Sequence, residues 1–238
     1  MPSRPSGTGS SGTRSARSKA PAAPKDPVAP KVPAALTPAE VPRHDLDDDT
    51  AYRSAEFRSA DLSDRHADGL DIKGCRLLDT GFSGAAMRRA SLSDVELERC
   101  DLSNMTVRAS TMHRARVSAS RLTGMSWSEC SFRDVVFDGC RADLAGFRFS
   151  TFKNAVFRDC AMPEANFQNA DLRGVRFEHC DLTGAQFSGA RMEGARFADC
   201  TLLRINGVTS LRGVIIKSRD AQGLVYSLAG AMGITIED

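Results

Sequence analysis

The sequence predicts an all-β solenoid: a square coil of about seven and a half turns, with a short N-terminal lead-in and a C-terminal helical cap. Three observations predict it. A marked position recurs every five residues from Phe57 through Leu62, Ile72, Leu77 and Phe82 to Met192, Phe197 and Leu202. Across its thirty occurrences only Ala67 and Ala142 lack a larger apolar side chain. Two residues before each marked position sits a second one, usually Ala, Cys, Ser or Thr, as at Ala55, Ala60, Cys75, Thr80, Ala85, Ala90 and Cys100. At twenty-residue spacing like side chains align: Phe137, Phe157, Phe177 and Phe197 form one series, and Trp127, Phe147, Phe167 and Phe187 a neighbouring one.

A period of five fits neither regular element. On an α-helix each step of five rotates the position by about 140°, which would spread the apolar residues over the whole surface. On a flat strand it alternates between faces. A chain that turns a corner every five residues brings each marked residue to the inside. Four sides use twenty residues, and successive turns then pair their backbones at about 4.8 Å, which makes thirty steps a rod of about 36 Å. The inside is narrow, so the second inward residue has to be small.

Several segments read as Ala or Cys, then Asp or Asn, then Leu or Phe, then two free positions. They include Ala60-Asp61-Leu62-Ser63-Asp64, Cys100-Asp101-Leu102-Ser103-Asn104, Ala165-Asn166-Phe167-Gln168-Asn169, Ala170-Asp171-Leu172-Arg173-Gly174 and Cys180-Asp181-Leu182-Thr183-Gly184. On these segments the chain resembles the pentapeptide-repeat proteins over residues 55–204. The resemblance implies a right-handed quadrilateral β-helix. Arg65, Leu70, Met105 and Met125 are bulky for the small position. They predict distorted early turns, with a bulge near Arg65–Gly69.

The rest of the chain closes the coil. Residues 1–36 are rich in Ser, Pro, Ala and basic residues and nearly free of large apolar ones, which predicts a disordered basic tail. Residues 37–54 form the lead-in, where Thr37-Pro38-Ala39-Glu40 has the form of a helix capping box and Tyr52 falls on the five-residue register. The coil runs over 55–206. Residues 207–238 provide a last partial turn at Leu211–Ile216 and a helix from Asp220 to Ala231, with Leu224, Leu228 and Met232 on one side and Gly233 as its stop. Ile234 and Ile236 follow as a docking or edge segment. The resemblance implies that this end can also pair two copies, as in characterised family members.

Composition narrows the function. The formal net charge is +2; seven of the 32 basic residues fall in the first fifty, leaving 25 against 24 acidic ones, so no global field selects nucleic acid or membrane. No stretch of eighteen apolar residues and no continuous apolar leader are present. All seven cysteines occupy the small position, which predicts packed, reduced thiols and a cytoplasmic setting. A straight ladder of thiols cannot converge on a zinc ion, and His44, His66, His113 and His179 stand apart, so no metal or other cofactor is expected. No nucleophile has an evident base beside it, no phosphate loop is present, and a core of Phe and Leu leaves no substrate pocket. The chain therefore reads as a non-enzymatic protein.

Recognition is expected on the outward positions. Lys73, His113, Arg133, Lys153 and Arg173 share one stripe, with Ser93 as its gap; Arg88, Arg108 and Arg148 share a stripe on the adjacent side. Asp94 and Asp134 are placed to offset part of the first stripe. Leu78, Leu144, Phe149 and Leu203 are apolar at outward places, and Phe149 is the leading contact candidate. A protein-binding scaffold with an unassigned protein partner is the favoured function. Some pentapeptide-repeat proteins mimic DNA, bind DNA gyrase and protect it from quinolones, which the resemblance offers as an alternative; such mimicry needs a strongly negative rod. A basic-face binder of nucleic acid or another anionic surface is the third option.

Overall fold

The computed structural model describes residues 25–41 and 44–237 of the 238. The chain winds into a β-solenoid of about nine turns, a right-handed quadrilateral β-helix followed by one short helix. At about 4.8 Å per turn the rod is about 43 Å long. All strand pairs are parallel and nearly all join residues twenty apart, as in Phe137↔Phe157 and Phe157↔Phe177. Most strands are three residues long, but Ser91–Glu98, Thr111–Ser118, Ser131–Asp138 and Thr151–Arg158 run for eight residues through a corner.

The five-residue register is realised by a left-handed residue at each corner, just before the small inward position. Asp79, Asp94, Asn104, Asp134, Asn154 and Asp159 all have φ between 50° and 55°. Asp, Asn and Gly tolerate this conformation best, which is why they recur at the fifth place of so many repeats.

Inside, the aromatic ladders form as the spacing predicts. Phe137, Phe157, Phe177 and Phe197 stack nearly parallel, with ring centroids 4.7, 5.1 and 5.0 Å apart. Phe147, Phe167 and Phe187 do the same at 5.2 and 5.4 Å. The two ladders meet edge to face, as between Phe157 and Phe167 at 5.8 Å, a geometry that suits the ring quadrupoles. Trp127 instead stacks on Phe132 at 5.3 Å, and Phe132 on Phe152 at 4.5 Å. An interior void among Leu97, Met105, Val107 and Trp127 measures about 20 Å³, close to the size of one water.

The small position carries a second ladder. All seven cysteines are buried and free. Each thiol lies close to carbonyl oxygens; Cys160 Sγ donates to Arg158 O at 3.1 Å. Ser110, Ser120 and Ser150 fill the same station and accept the N–H of Ala90, Cys100 and Cys130 at 2.9–3.0 Å. Burial pushes the Cys100 and Cys130 thiols up to about 11, which suppresses the reactive thiolate.

Several expectations are corrected. The coil has about nine turns rather than seven and a half, because the lead-in and the last segment join it. Thr37–Pro38 does not start a capped helix. It pairs with Ala55–Glu56 as a strand, because the open edge of the first turn offers Ser54 O to Thr37 N–H and Glu56 O to Ala39 N–H, at 2.9 and 2.8 Å. The early turns are undistorted: His66–Asp68 pairs in register with Ala86–Arg88, and Arg65 swings outward to Asp45 at 2.9 Å. Leu70, Met105 and Met125 are all buried. Leu78 is buried rather than outward.

Residues 25–36, grouped by composition with the basic tail, lie along the coil through named hydrogen bonds. Asp26 reaches Arg176, Val28 reaches Asp134, and Lys31 reaches Asp94. The expected disorder of residues 1–24 concerns residues outside those described.

At the other end Ile215–Ile216 does add a last partial turn, pairing with Arg196–Phe197 at a spacing of nineteen. The cap is shorter than expected: a 3₁₀ turn, Ala221–Leu224, leads into the helix Val225–Ala231. Asp220 makes no side-chain cap; its partly orphaned carboxylate is buried beside Arg219. Gly233, at φ 73°, stops the helix. Leu224 enters the core, whereas Leu228, Met232, Ile234 and Ile236 are exposed.

Phe157→Ala should cost about 3–5 kcal/mol in a denaturant titration, because it interrupts a ladder that cannot collapse around the gap. Asp159→Asn, at a left-handed exposed corner, should leave the midpoint within experimental error. In native buffer a thiol reagent should label none of the seven cysteines within the time that fully labels the denatured chain; rapid native labelling of the Cys100 or Cys130 thiol would contradict the burial described.

Candidate interaction surface

With the interior filled, chemistry available to other molecules lies on the four outer faces and their corners. The first basic stripe forms as expected. Lys73, Ser93, His113, Arg133 and Lys153 stack in register on successive turns. Arg133 and Lys153 are exposed, and among the described residues neither makes an ion pair. His113 is half-buried. Arg173 belongs to the stripe by spacing, but its guanidinium is held by Asp171 at 2.6–2.8 Å, which lowers its availability.

The carboxylates expected to offset this stripe are committed elsewhere. Asp94 is almost fully buried and holds Arg114, from the next turn, at 2.5–2.6 Å. The Arg114 guanidinium keeps the Asp94 carboxyl down at about 2, so the pair's contribution to stability is complete above the ordinary carboxylate range and is lost as pH falls toward 2. Asp134 accepts the Asn154 side-chain amide and the Val28 N–H.

The second stripe is less continuous. Arg88 and Arg108 pair in register, Ser128 follows, and Arg148 comes next by spacing. Arg108 donates to Glu129 at 2.8 Å. Arg148 lies 5.5 Å from the centroid of the Phe149 ring, within reach of a cation–π contact.

Phe149 sits at the corner between the two basic faces: Arg148 precedes it on one, and Lys153 follows on the other. It is 51% exposed, and Leu144, at the preceding corner, is 58% exposed. Between residues 55 and 202 these are the only large hydrophobic side chains exposed. Both have left-handed backbones, φ 58° and 57°, where the other turns place Asp, Asn, Gly, Arg or similar residues. The sequence pointed to Phe149 as outward and apolar; its backbone conformation and its position between the stripes are visible only in three dimensions.

Among the described residues no group of three His, Cys, Asp or Glu side chains is placed to hold a metal ion, and no helix is long and apolar enough to cross a membrane.

Comparison with known proteins bears on the family. Two family models match, pentapeptide repeats over residues 68–104 and a pentapeptide repeat region over residues 141–206. No curated protein matches the chain. Among solved structures, a trypsin-treated form of QnrB1, a plasmid-mediated fluoroquinolone resistance protein, is 16% identical with a TM-score of 0.40, covering 80% of this chain and all of its own. HetL, a pentapeptide repeat protein involved in heterocyst differentiation regulation in the cyanobacterium Nostoc, is 18% identical with a TM-score of 0.26, covering 66% of this chain and 89% of its own. A pentapeptide repeat protein of the Arabidopsis thaliana thylakoid lumen is 14% identical with a TM-score of 0.24, covering 50% and 67%. Superpositions this loose carry no functional argument. The assignment rests on the two family models and on an unbroken register of thirty five-residue steps, and the chain belongs to the pentapeptide-repeat proteins.

Proposed function

We propose that the coil is a non-enzymatic scaffold that binds a protein partner at the corner of Phe149. The observation that carries this is a half-exposed phenylalanine in a left-handed backbone, flanked by basic groups on both adjoining faces. A bulky side chain in that conformation costs about 1–2 kcal/mol, and Phe149 recovers little of it by burial. With Leu144 it supplies an apolar centre, and Arg148, Arg133 and Lys153 a charged rim, the arrangement of a small protein-binding hot spot. The complementary partner surface is acidic with an apolar patch. A DNA-mimicking role toward gyrase draws no support from a chain of net charge +2 whose stripes are basic.

The C-terminal cap supports a second contact. Val225, Tyr226 and Leu228 of the helix and Met232 just past its end are 45–76% exposed, and Ile234 and Ile236 follow, a concentration of apolar surface suited to a second copy of the chain.

Phe149→Asn should leave the melting temperature unchanged or raise it, because Asn tolerates the left-handed corner, while a partner captured from the host by the tagged wild-type chain is lost. Arg133→Glu with Lys153→Glu should weaken the same capture, and Asp159→Asn should retain it. Capture that survives all of the first three changes would overturn the proposed face. DNA binding that is salt-dependent and indifferent to Phe149→Asn would instead favour a nucleic-acid role. For the cap, sedimentation should show a dimer that Leu228→Asp with Met232→Asp converts to monomer; a wild-type monomer at high concentration refutes the pairing.

A further inference from the structure

One corner of the rod is already occupied by a peptide, and the peptide belongs to the chain itself. Proline stands at 27, 30 and 33. Each fixes its own φ near −65° and confines the residue before it to extended conformations, which favours polyproline II, a helix with three residues per turn. It is spelled Pro27-Val28-Ala29-Pro30-Lys31-Val32-Pro33. Pro27 and Pro30 are half-buried against the rod, whereas Val28, Ala29 and Lys31 face solvent.

The contacts follow one column of corner residues. Asn154 Nδ2 donates to Asp26 O at 3.3 Å, and Val28 N–H to Asp134 Oδ1 at 3.2 Å. Lys31 N–H donates to Asp94 Oδ1 at 3.0 Å. Pro33 ends against Gly74, where a Cβ would come within 3.2 Å of its Cδ. Arg176 anchors the other end on Asp26 at 2.6 Å. The two N–H donors each follow a proline, which has no N–H of its own.

The two periods agree. Val28 and Lys31 are three residues apart, and their acceptors Asp134 and Asp94 are forty apart, which is two turns of the coil. Three residues of polyproline II rise about 9.3 Å and two turns of the rod about 9.6 Å. The segment runs antiparallel to the progression of the coil. It covers the corner through which the four eight-residue strands pass, so its acceptors project from continuous backbone.

We propose that this corner, built from Gly74, Asp94, Asp134 and Asn154, is a docking site for proline-rich peptides with proline at every third residue, and that residues 26–33 are its resident ligand in cis. Asp94 and Asp134 read the backbone N–H groups, the half-buried prolines set the spacing, and Gly74 leaves room for the last ring. Arg114, bound to both oxygens of Asp94, fixes that carboxylate in place. The short connection from Pro33 to the Thr37 strand gives the resident segment a millimolar effective concentration, so a peptide supplied in trans competes only when the cis segment is weakened.

The test uses the full chain. In the wild type, hydrogen exchange should show Val28 and Lys31 amides protected and Ala29 exchanging freely; random-coil exchange at Val28 and Lys31 would overturn the docking. In a Pro27→Gly, Pro30→Gly variant, whose coil is checked by its unaltered circular dichroism, a labelled peptide of the sequence of residues 25–34 should bind saturably. The wild-type chain should bind it at least tenfold more weakly. Adding Asp94→Gly and Asp134→Gly, which remove both acceptors and suit the left-handed corner, should abolish binding. A peptide of the same composition with prolines spaced by two and four residues should not bind. Absence of saturable binding to the variant, or equal binding of the respaced peptide, refutes the site.

Discussion

Everything in this molecule depends on parallel backbone pairing between residues twenty apart. Each turn can satisfy its N–H and C=O groups only against the turns above and below, so the twenty-residue spacing cannot drift. That constraint stacks identical stations. Because the interior is narrow, one station takes a ring or branched side chain and the next a thiol, hydroxyl or methyl. The phenylalanine ladders and the thiol ladder are two consequences of the same pairing. Both fill the interior of the coil, so the groups open to other molecules stand on its outer faces.

The corners decide what that surface is. A turn every five residues requires a left-handed residue at each corner, and Asp, Asn or Gly supplies it at little cost. The carboxylates placed there for conformational reasons become available for other work. Asp79 holds Arg99 and Asp94 holds Arg114, each from the following turn. On one corner the same residues accept hydrogen bonds from the proline-rich segment. Where the corner instead carries Phe149 or Leu144, conformational preference has been set aside, and an apolar side chain stands out between charged faces.

The two proposed contacts lie on neighbouring corners of the same turns. Phe149 and Asn154 are five residues apart, with Lys153 on the face between them. A partner seated on the Phe149 corner would therefore lie beside the start of the proline-rich segment, where Asn154 holds Asp26. The rod thus presents a composite surface in which the segment borders the basic stripe.

The sequence by itself determined whatever is repeated. Five-residue spacing at thirty stations fixed the coil, the ladders, the burial of Cys75 through Cys200 and the order of the basic stripe, because each station repeats the same local demand. Phe149 was legible as an outward apolar residue for the same reason. The tertiary structure decided whatever happens once. Thr37–Pro38 has a helix-start pattern but becomes a strand, because the open edge of the first turn supplies partners that an isolated helix lacks. Leu228 and Met232 follow a helical pattern, yet only Leu224 reaches the core, since the helix is too short to turn all three inward. Asp94 was legible as a charge near the basic stripe, but its contacts come from Arg114 on the next turn and from Lys31, sixty-three residues away in sequence. The three-residue proline spacing was present in the sequence throughout; its meaning depended on the spacing of the turns it lies against, and that match of two lengths exists only in the folded rod.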